Sequence, residues 1–143
     1  MWPKSFWYKI YEPFIRKAAG LGVASTKHDK ERYEHKYEYC DLLIAGSGPS
    51  GLASAYSAAK NGAKVILAED KPRYGGSLLT SDVNIGNQSG KDWADGIISE
   101  LKEMPNVTVK NRSQVFGYYD HNMLVMSEKV SDHLPKTKKY HPN

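Results

Sequence analysis

The residues best suited to chemistry in this chain lie in one short stretch, GSGPSG, at residues 46–51. Gly46, Gly48 and Gly51 form the G-x-G-x-x-G pattern, with Ser47, Pro49 and Ser50 at its variable positions. The chemistry this spacing suits is anion binding. Glycine at 46 permits a tight turn out of a strand, and the absent Cβ at 48 lets the backbone approach a pyrophosphate. Gly51, with Ala55 four residues on, lets the following helix pack closely on a sheet. Backbone N–H groups from about Gly48 to Leu52 then carry the partial positive charge of a helix N-terminus.

A lone glycine pattern is weak evidence, but this one has company. Gly62 closes the expected helix, and Glu69-Asp70 ends the next apolar run, with Glu69 lying 18 residues after Gly51. Glu69 is placed to accept hydrogen bonds from both hydroxyls of an adenosine ribose, and its charge repels a 2′-phosphate. That favours NAD or FAD over NADP. The string Arg73-Tyr74-Gly75-Gly76-Ser77 follows. Its paired glycine suits a loop that closes over a cofactor diphosphate with Arg73 as counter-charge, although a plain surface loop fits equally well. Val115 is either a backbone contact to an adenine ring or a core valine, and the core reading is the simpler.

Other chemistry finds no support. His28, His35, His121, His133 and His141 show no ligand spacing, and the single cysteine, Cys40, excludes a multi-cysteine metal site. Cys40 reads as a small core residue, and no constellation suggests a serine or cysteine hydrolase. The chain carries 20 basic and 16 acidic residues, a net charge of +4, too modest for a dedicated nucleic-acid binder. The excess sits mostly in the first 40 residues. Lys136, Lys138 and Lys139 read as a solvated turn, and Tyr118-Tyr119-Asp120 as packing. No apolar run reaches the length of a membrane span, and no signal peptide is visible, so a cytoplasmic protein is expected.

The elements that must position the motif follow from periodicity. DLLIA (41–45) and AKVILA (63–68) read as short buried strands, with a helix from Leu52 to Asn61 between them. Lys91–Met104 places Trp93, Ile97, Leu101 and Met104 on one stripe, and Val107-Thr108-Val109 is a third strand. Val115–Tyr119 and Met123–Glu128 read as an antiparallel pair turning at Asp120-His121-Asn122. Strand, helix, strand, helix, strand implies an α/β fold: a partial Rossmann-like, FAD/NAD(P)-binding parallel sheet with an inserted β-ribbon. Ahead of it, residues 1–25 crowd Trp2, Phe6, Trp7, Tyr8, Tyr11 and Phe14 into an aromatic helical arm. A basic amphipathic helix on a membrane is one reading of the arm. Pro13 argues against it and fits a short helix from Glu12 to about Ala19, stopped by Gly20 and Gly22. The arm is expected to pack its aromatics on another domain or subunit. Residues 26–39 read as a charged linker, so the division is arm and linker 1–39 and nucleotide-binding domain 40–143.

The strings MWPKSFWYKIYEPFIRKAAGLG, YCDLLIAGSGPSGLASA, AKVILAED, GGSLL and VFGYYDHNMLVMSEKVSDHL together resemble the alpha subunit of heterotetrameric sarcosine oxidases. The resemblance runs from Trp2 to about His133. It implies a much longer parent chain, of which this would be an internal fragment, incomplete at the C-terminal end of the nucleotide domain. It implies oxidative demethylation of sarcosine to glycine, with formaldehyde or methylene-tetrahydrofolate and hydrogen peroxide as products. It also implies beta, gamma and delta partner subunits, FAD and FMN in the beta subunit or at its interface, and NAD in the alpha subunit. Gly46, Gly48, Gly51 and Glu69 would hold that NAD, and no residue of this chain is expected to be catalytic.

Overall fold

The computed structural model describes residues 6–20, 25–28, 33–131 and 133–135. Trp2, Gly22, His141 and the 136–139 lysine turn lie outside them. Two compact units divide between Tyr33 and Glu34.

In the first unit, a π-helical turn over Trp7–Tyr11 runs directly into helix α1, Glu12–Ala18. Pro13 occupies the first turn of α1, just after the π-helical turn. Arg16 pairs with Glu12 one turn away, and Gly20, at φ +69°, follows the end of the helix. This helix matches the expected one, and the π-turn before it is an addition. No residue of either element is buried: Tyr8 and Phe14 are more than 70% exposed.

The second unit is the α/β body. Strand β1 (Leu42–Ala45) leads through the glycine turn to α2 (Pro49–Lys60), and β2 (Val65–Ala68) returns parallel to β1 in the register Leu42↔Val65 to Ala45↔Ala68. After a 3₁₀ turn at Gly76–Leu79 comes a tight hairpin, β3 (Asn84–Ile85) and β4 (Gln88–Ser89). Helix α3 (Gly90–Glu103) then feeds β5 (Val107–Lys110), parallel to β2. The sheet order is β1-β2-β5, with β2 central and all four of its residues buried. The antiparallel ribbon β6 (Ser113–Tyr119) and β7 (Met123–Glu128) forms around Asp120–Asn122, with an irregularity between Val115 and Gly117.

Most of the core lies between the sheet and its two helices. Leu52, Ala55 and Ala59 of α2 meet Val65 and Leu67 of β2, Leu78, and Ala94, Ile98 and Leu101 of α3. The stripe on α3 is therefore turned from the expected one. Leu101 is fully buried as expected, with Ala94 and Ile98 beside it in the core, while Trp93, Ile97 and Met104 flank it. Ser89 caps α3 by accepting from the Asp92 N–H at 3.1 Å, and its hydroxyl bonds the Asp92 carboxylate at 2.7 Å. Asn106 closes the other side of the body. Its amide donates to the Ala59 and Ala63 carbonyls at 3.0 and 2.7 Å, tying β5 to the end of α2.

The β3–β4 hairpin lies in a stretch with no expected element. Its strands are two residues each, too short for alternation to show, and the signal is the turn. Gly86, at φ +62°, and Asn87 form a two-residue loop of the kind that closes tight hairpins.

Candidate functional site

The site is assembled at the C-terminal ends of β1 and β2. Gly46 leaves β1 at φ +98°, a conformation that glycine adopts freely, and its N–H donates to the Ala68 carbonyl of β2 at 2.7 Å. Gly48 caps α2 with extended backbone, and Pro49 begins the helix three residues earlier than the periodicity suggested. No side chain caps this N-terminus. Helical N–H groups beyond the first turn are paired within the chain, beginning with Leu52 to the Gly48 carbonyl at 2.9 Å. The first-turn N–H groups are the ones that a helix start leaves without an intrahelical partner.

The two glycines that follow differ in what surrounds them. A Cβ on Gly51 would sit 2.1 Å from the Gly46 carbonyl oxygen, so the helix can start this close to the turn only with glycine. A Cβ on Gly48 would meet nothing within 4 Å. No protein atom excludes a side chain there; the space is open. The loop with the paired glycine closes over this turn. Gly76, at φ +54°, would place a Cβ 2.9 Å from the Gly48 Cα, and Gly75 has φ +120°.

Glu69 stands at the end of β2 and is only 5% exposed. Its Oε2 accepts the Ser47 N–H at 2.8 Å and also the Ser47 hydroxyl. Its Oε1 accepts the Lys71 N–H at 2.9 Å. A carboxylate has about four acceptor positions, so about one remains, on Oε1. The Asp70 carboxyl lies within hydrogen-bonding range of the same group, its own pKa lowered first by that contact and then by Lys71. Ser47 is fully buried, and it also receives the Gly75 N–H on its carbonyl at 3.0 Å and on its hydroxyl at 3.2 Å. The first glycine turn, the acidic strand end and the paired-glycine loop are therefore joined through one serine.

The remaining sequence-designated residues are distributed unevenly. Pro49 and Ser50 are exposed in the first turn of α2, and Gly76 and Ser77 lie exposed in the 3₁₀ turn. Asp70 is exposed beside the Lys71 ammonium at 3.2 Å, and Arg73 is exposed on the loop. Val115 lies half-buried in the ribbon opposite Met126. Cys40 is half-buried before β1, where burial and then the Asp41 carboxylate push its thiol up, away from the thiolate form. Among the described residues no helix is long and apolar enough to cross a membrane.

Three contributors escaped the sequence reading. Lys71 acts through its backbone N–H, which no side-chain type reveals. Ser113, buried at the start of β6, donates its N–H to the Glu69 carbonyl at 2.8 Å, and the Asn111 amide holds the Pro72 carbonyl at 3.0 Å. Together they brace the strand end that carries Glu69.

The family model described as FAD dependent oxidoreductase matches residues 41–130, the span that holds this site. Sarcosine oxidase subunit alpha of Rhizobium meliloti (strain 1021) is 44% identical over 142 residues, 99% of this chain and 14% of that relative. The subunit of the same name from Corynebacterium sp. (strain U-96) is 35% identical over 117 residues, 81% of this chain and 12% of that relative. The chain thus spans about a seventh or less of each of these two relatives. The resemblance to sarcosine oxidase alpha subunits holds across nearly the whole chain. In fold, it is similar to L-proline dehydrogenase from P. horikoshii, with a TM-score of 0.55 at 19% identity over 67% of this chain and 21% of that one. A parallel α/β sheet of Rossmann-like form, the glycine turn at its strand ends and the matched span agree: the chain belongs to the FAD-dependent oxidoreductase family.

Proposed function

We propose that this chain holds the ADP half of a dinucleotide, as the nucleotide-binding segment of an alpha subunit in a multi-subunit sarcosine oxidase. One observation carries the reading. Open space in front of Gly48, at an uncapped helix N-terminus, lies beside a buried carboxylate with acceptor capacity to spare. The residues present fit such a group. First-turn N–H groups of α2, from Ser50 and Gly51, would meet the diphosphate, with Gly75, Gly76 and Ser77 closing over it. Oε1 of Glu69 would accept from a ribose hydroxyl, and its negative charge disfavours a 2′-phosphate. Arg73 is the available counter-charge, and Asp70 and Val115 border the same end of the sheet.

A bound flavin or nicotinamide supplies the hydride-accepting ring, and the protein supplies position and electrostatics. The family description supports FAD. NAD is the dinucleotide that the sarcosine oxidase resemblance brings, and the ADP half common to both is the part these residues read. Oxidative demethylation of sarcosine belongs, in this proposal, to the assembly with beta, gamma and delta subunits. The exposed aromatics of the arm, residues 1–39 with the linker, support a role in subunit contacts, and residues 40–143 form the nucleotide domain.

A thermal melt of the chain with FAD, with NAD and without ligand tests the reading. Ligand at about 100 times its dissociation constant adds roughly 2.7 kcal/mol, a shift of several degrees for a domain of this size. A shift with NAD alone supports an NAD site, and a shift with FAD alone a flavin site. A cooperative melt that neither ligand moves overturns the proposal.

A further inference from the structure

We infer that Ser47 is a positioning residue that sets the ribose selectivity of Glu69. The inference rests on the ADP reading of the site. Position 47 is variable in the glycine pattern, and nothing in the spacing of that pattern calls for a hydroxyl there. The structure nevertheless gives that hydroxyl a complete set of tasks. Ser47 is fully buried, its proton is donated to Oε2 of Glu69, and its oxygen accepts the Gly75 N–H at 3.2 Å.

The consequence for Glu69 is geometric. Ser47 supplies two donors to Oε2, its N–H and its hydroxyl, while the Lys71 N–H holds Oε1 from another side. Three fixed donors set the plane of the carboxylate. They fill Oε2 and leave the spare acceptor position on Oε1, so a ligand hydroxyl is read in one place only. Without the serine hydroxyl, Oε2 regains an acceptor position and the carboxylate loses one of its fixed donors. Held by one backbone N–H on each oxygen, it then has an acceptor position on both oxygens and can meet a sugar that lacks one hydroxyl. Selectivity falls even where the cradle still binds.

The second role of the hydroxyl, holding Gly75, affects the loop over the diphosphate. Every ADP analogue shares that diphosphate. The two roles therefore separate in one measurement: the ratio of dissociation constants for deoxy-ADP and ADP on the same protein. A partly unfolded variant weakens both constants by the same factor, so the ratio is independent of folded fraction.

The experiment titrates the full chain, wild type and Ser47→Ala, with ADP, 2′-deoxy-ADP and 3′-deoxy-ADP by calorimetry. In the wild type, the larger of the two deoxy/ADP ratios is expected to be roughly tenfold or more, the loss of a hydrogen bond to a charged acceptor. In Ser47→Ala it is expected to fall to about threefold or less. Ser47→Cys is near in size and carries a weaker donor, so it gives an intermediate ratio and serves if the alanine variant does not fold. An unchanged ratio in either variant, with both constants raised together, overturns the inference and leaves a purely structural serine. Failure of wild-type protein to bind ADP overturns the cradle reading itself, and this inference with it.

Discussion

Glu69 accepts three hydrogen bonds from its own chain, so it holds the fold as well as facing a ligand. Truncation tests the first role. Glu69→Ala leaves the buried Ser47 N–H and hydroxyl without their acceptor, and an unsatisfied buried polar group costs about 1–3 kcal/mol. A drop of several degrees in melting temperature is expected, measured by calorimetric or spectroscopic unfolding. Glu69→Gln tests the second role more cleanly. Its one oxygen can keep the Ser47 donors, while an NH2 group replaces Oε1 and cannot accept from a ribose. ADP affinity is expected to fall about tenfold or more with a smaller loss of stability. Unaltered ADP affinity in the glutamine variant would exclude a ribose role for this side chain.

At the level of elements, the last two glycines of the motif make opposite predictions. Gly51 lets the start of α2 pass 2.1 Å, measured from an added Cβ, from the Gly46 carbonyl at the exit of β1. Backbone on both sides leaves nothing flexible to yield. Gly51→Ala is expected to push α2 off the sheet and cost about 3 kcal/mol or more, seen as a strongly lowered or lost cooperative melt. Gly48 has φ −66° and ψ 179°, open to any residue, and a Cβ there meets no protein atom. Gly48→Ala is therefore expected to melt within roughly 0.5 kcal/mol of wild type while losing most of its ADP binding. A glycine that is dispensable for the fold and needed for the ligand marks where the ligand goes. Equal binding by Gly48→Ala and wild type would move the diphosphate elsewhere.

At the scale of the molecule, one cation joins three parts of the body. Lys110 at the end of β5 is 14% exposed, and its ammonium lies 3.1 Å from Glu38 of the linker and 3.0 Å from Glu128 of β7. Burial alone lowers its pKa, but hydrogen bonds and charge from Glu128 and Glu38 outweigh that and raise it above the ordinary lysine value. A raised folded-state pKa means stabilisation that is complete below the unfolded value and lost as pH climbs through the folded one. Lys110→Met should thus melt lower than wild type at neutral pH, by an amount on the order of 1 kcal/mol. The gap should narrow as pH climbs past the ordinary lysine value and through the raised folded-state one, where the wild-type ammonium deprotonates. A gap that stays constant through that range would show that the lysine acts through packing alone.

The elements, and the place of the glycine turn at the strand ends, were legible in the sequence, because both are local. Apolar runs of strand length, helical spacing from Lys91 onward and Gly62 after α2 each draw on a few neighbouring residues. The G-x-G-x-x-G spacing likewise states a backbone requirement in residue types. The β3–β4 hairpin was less visible, since two-residue strands carry no period and only Gly86 marks the turn. What tertiary structure alone decided is how the site's groups are shared among distant parts. Ser47 and Glu69 are 22 residues apart, and Ser47 and Gly75 are 28 apart. Whether a carboxylate keeps its lone pairs for a ligand or gives them to its own chain depends on which donors the folded backbone brings within 3 Å. Periodicity places side chains on faces. It does not count the hydrogen bonds that parallel strands and crossing loops close between them.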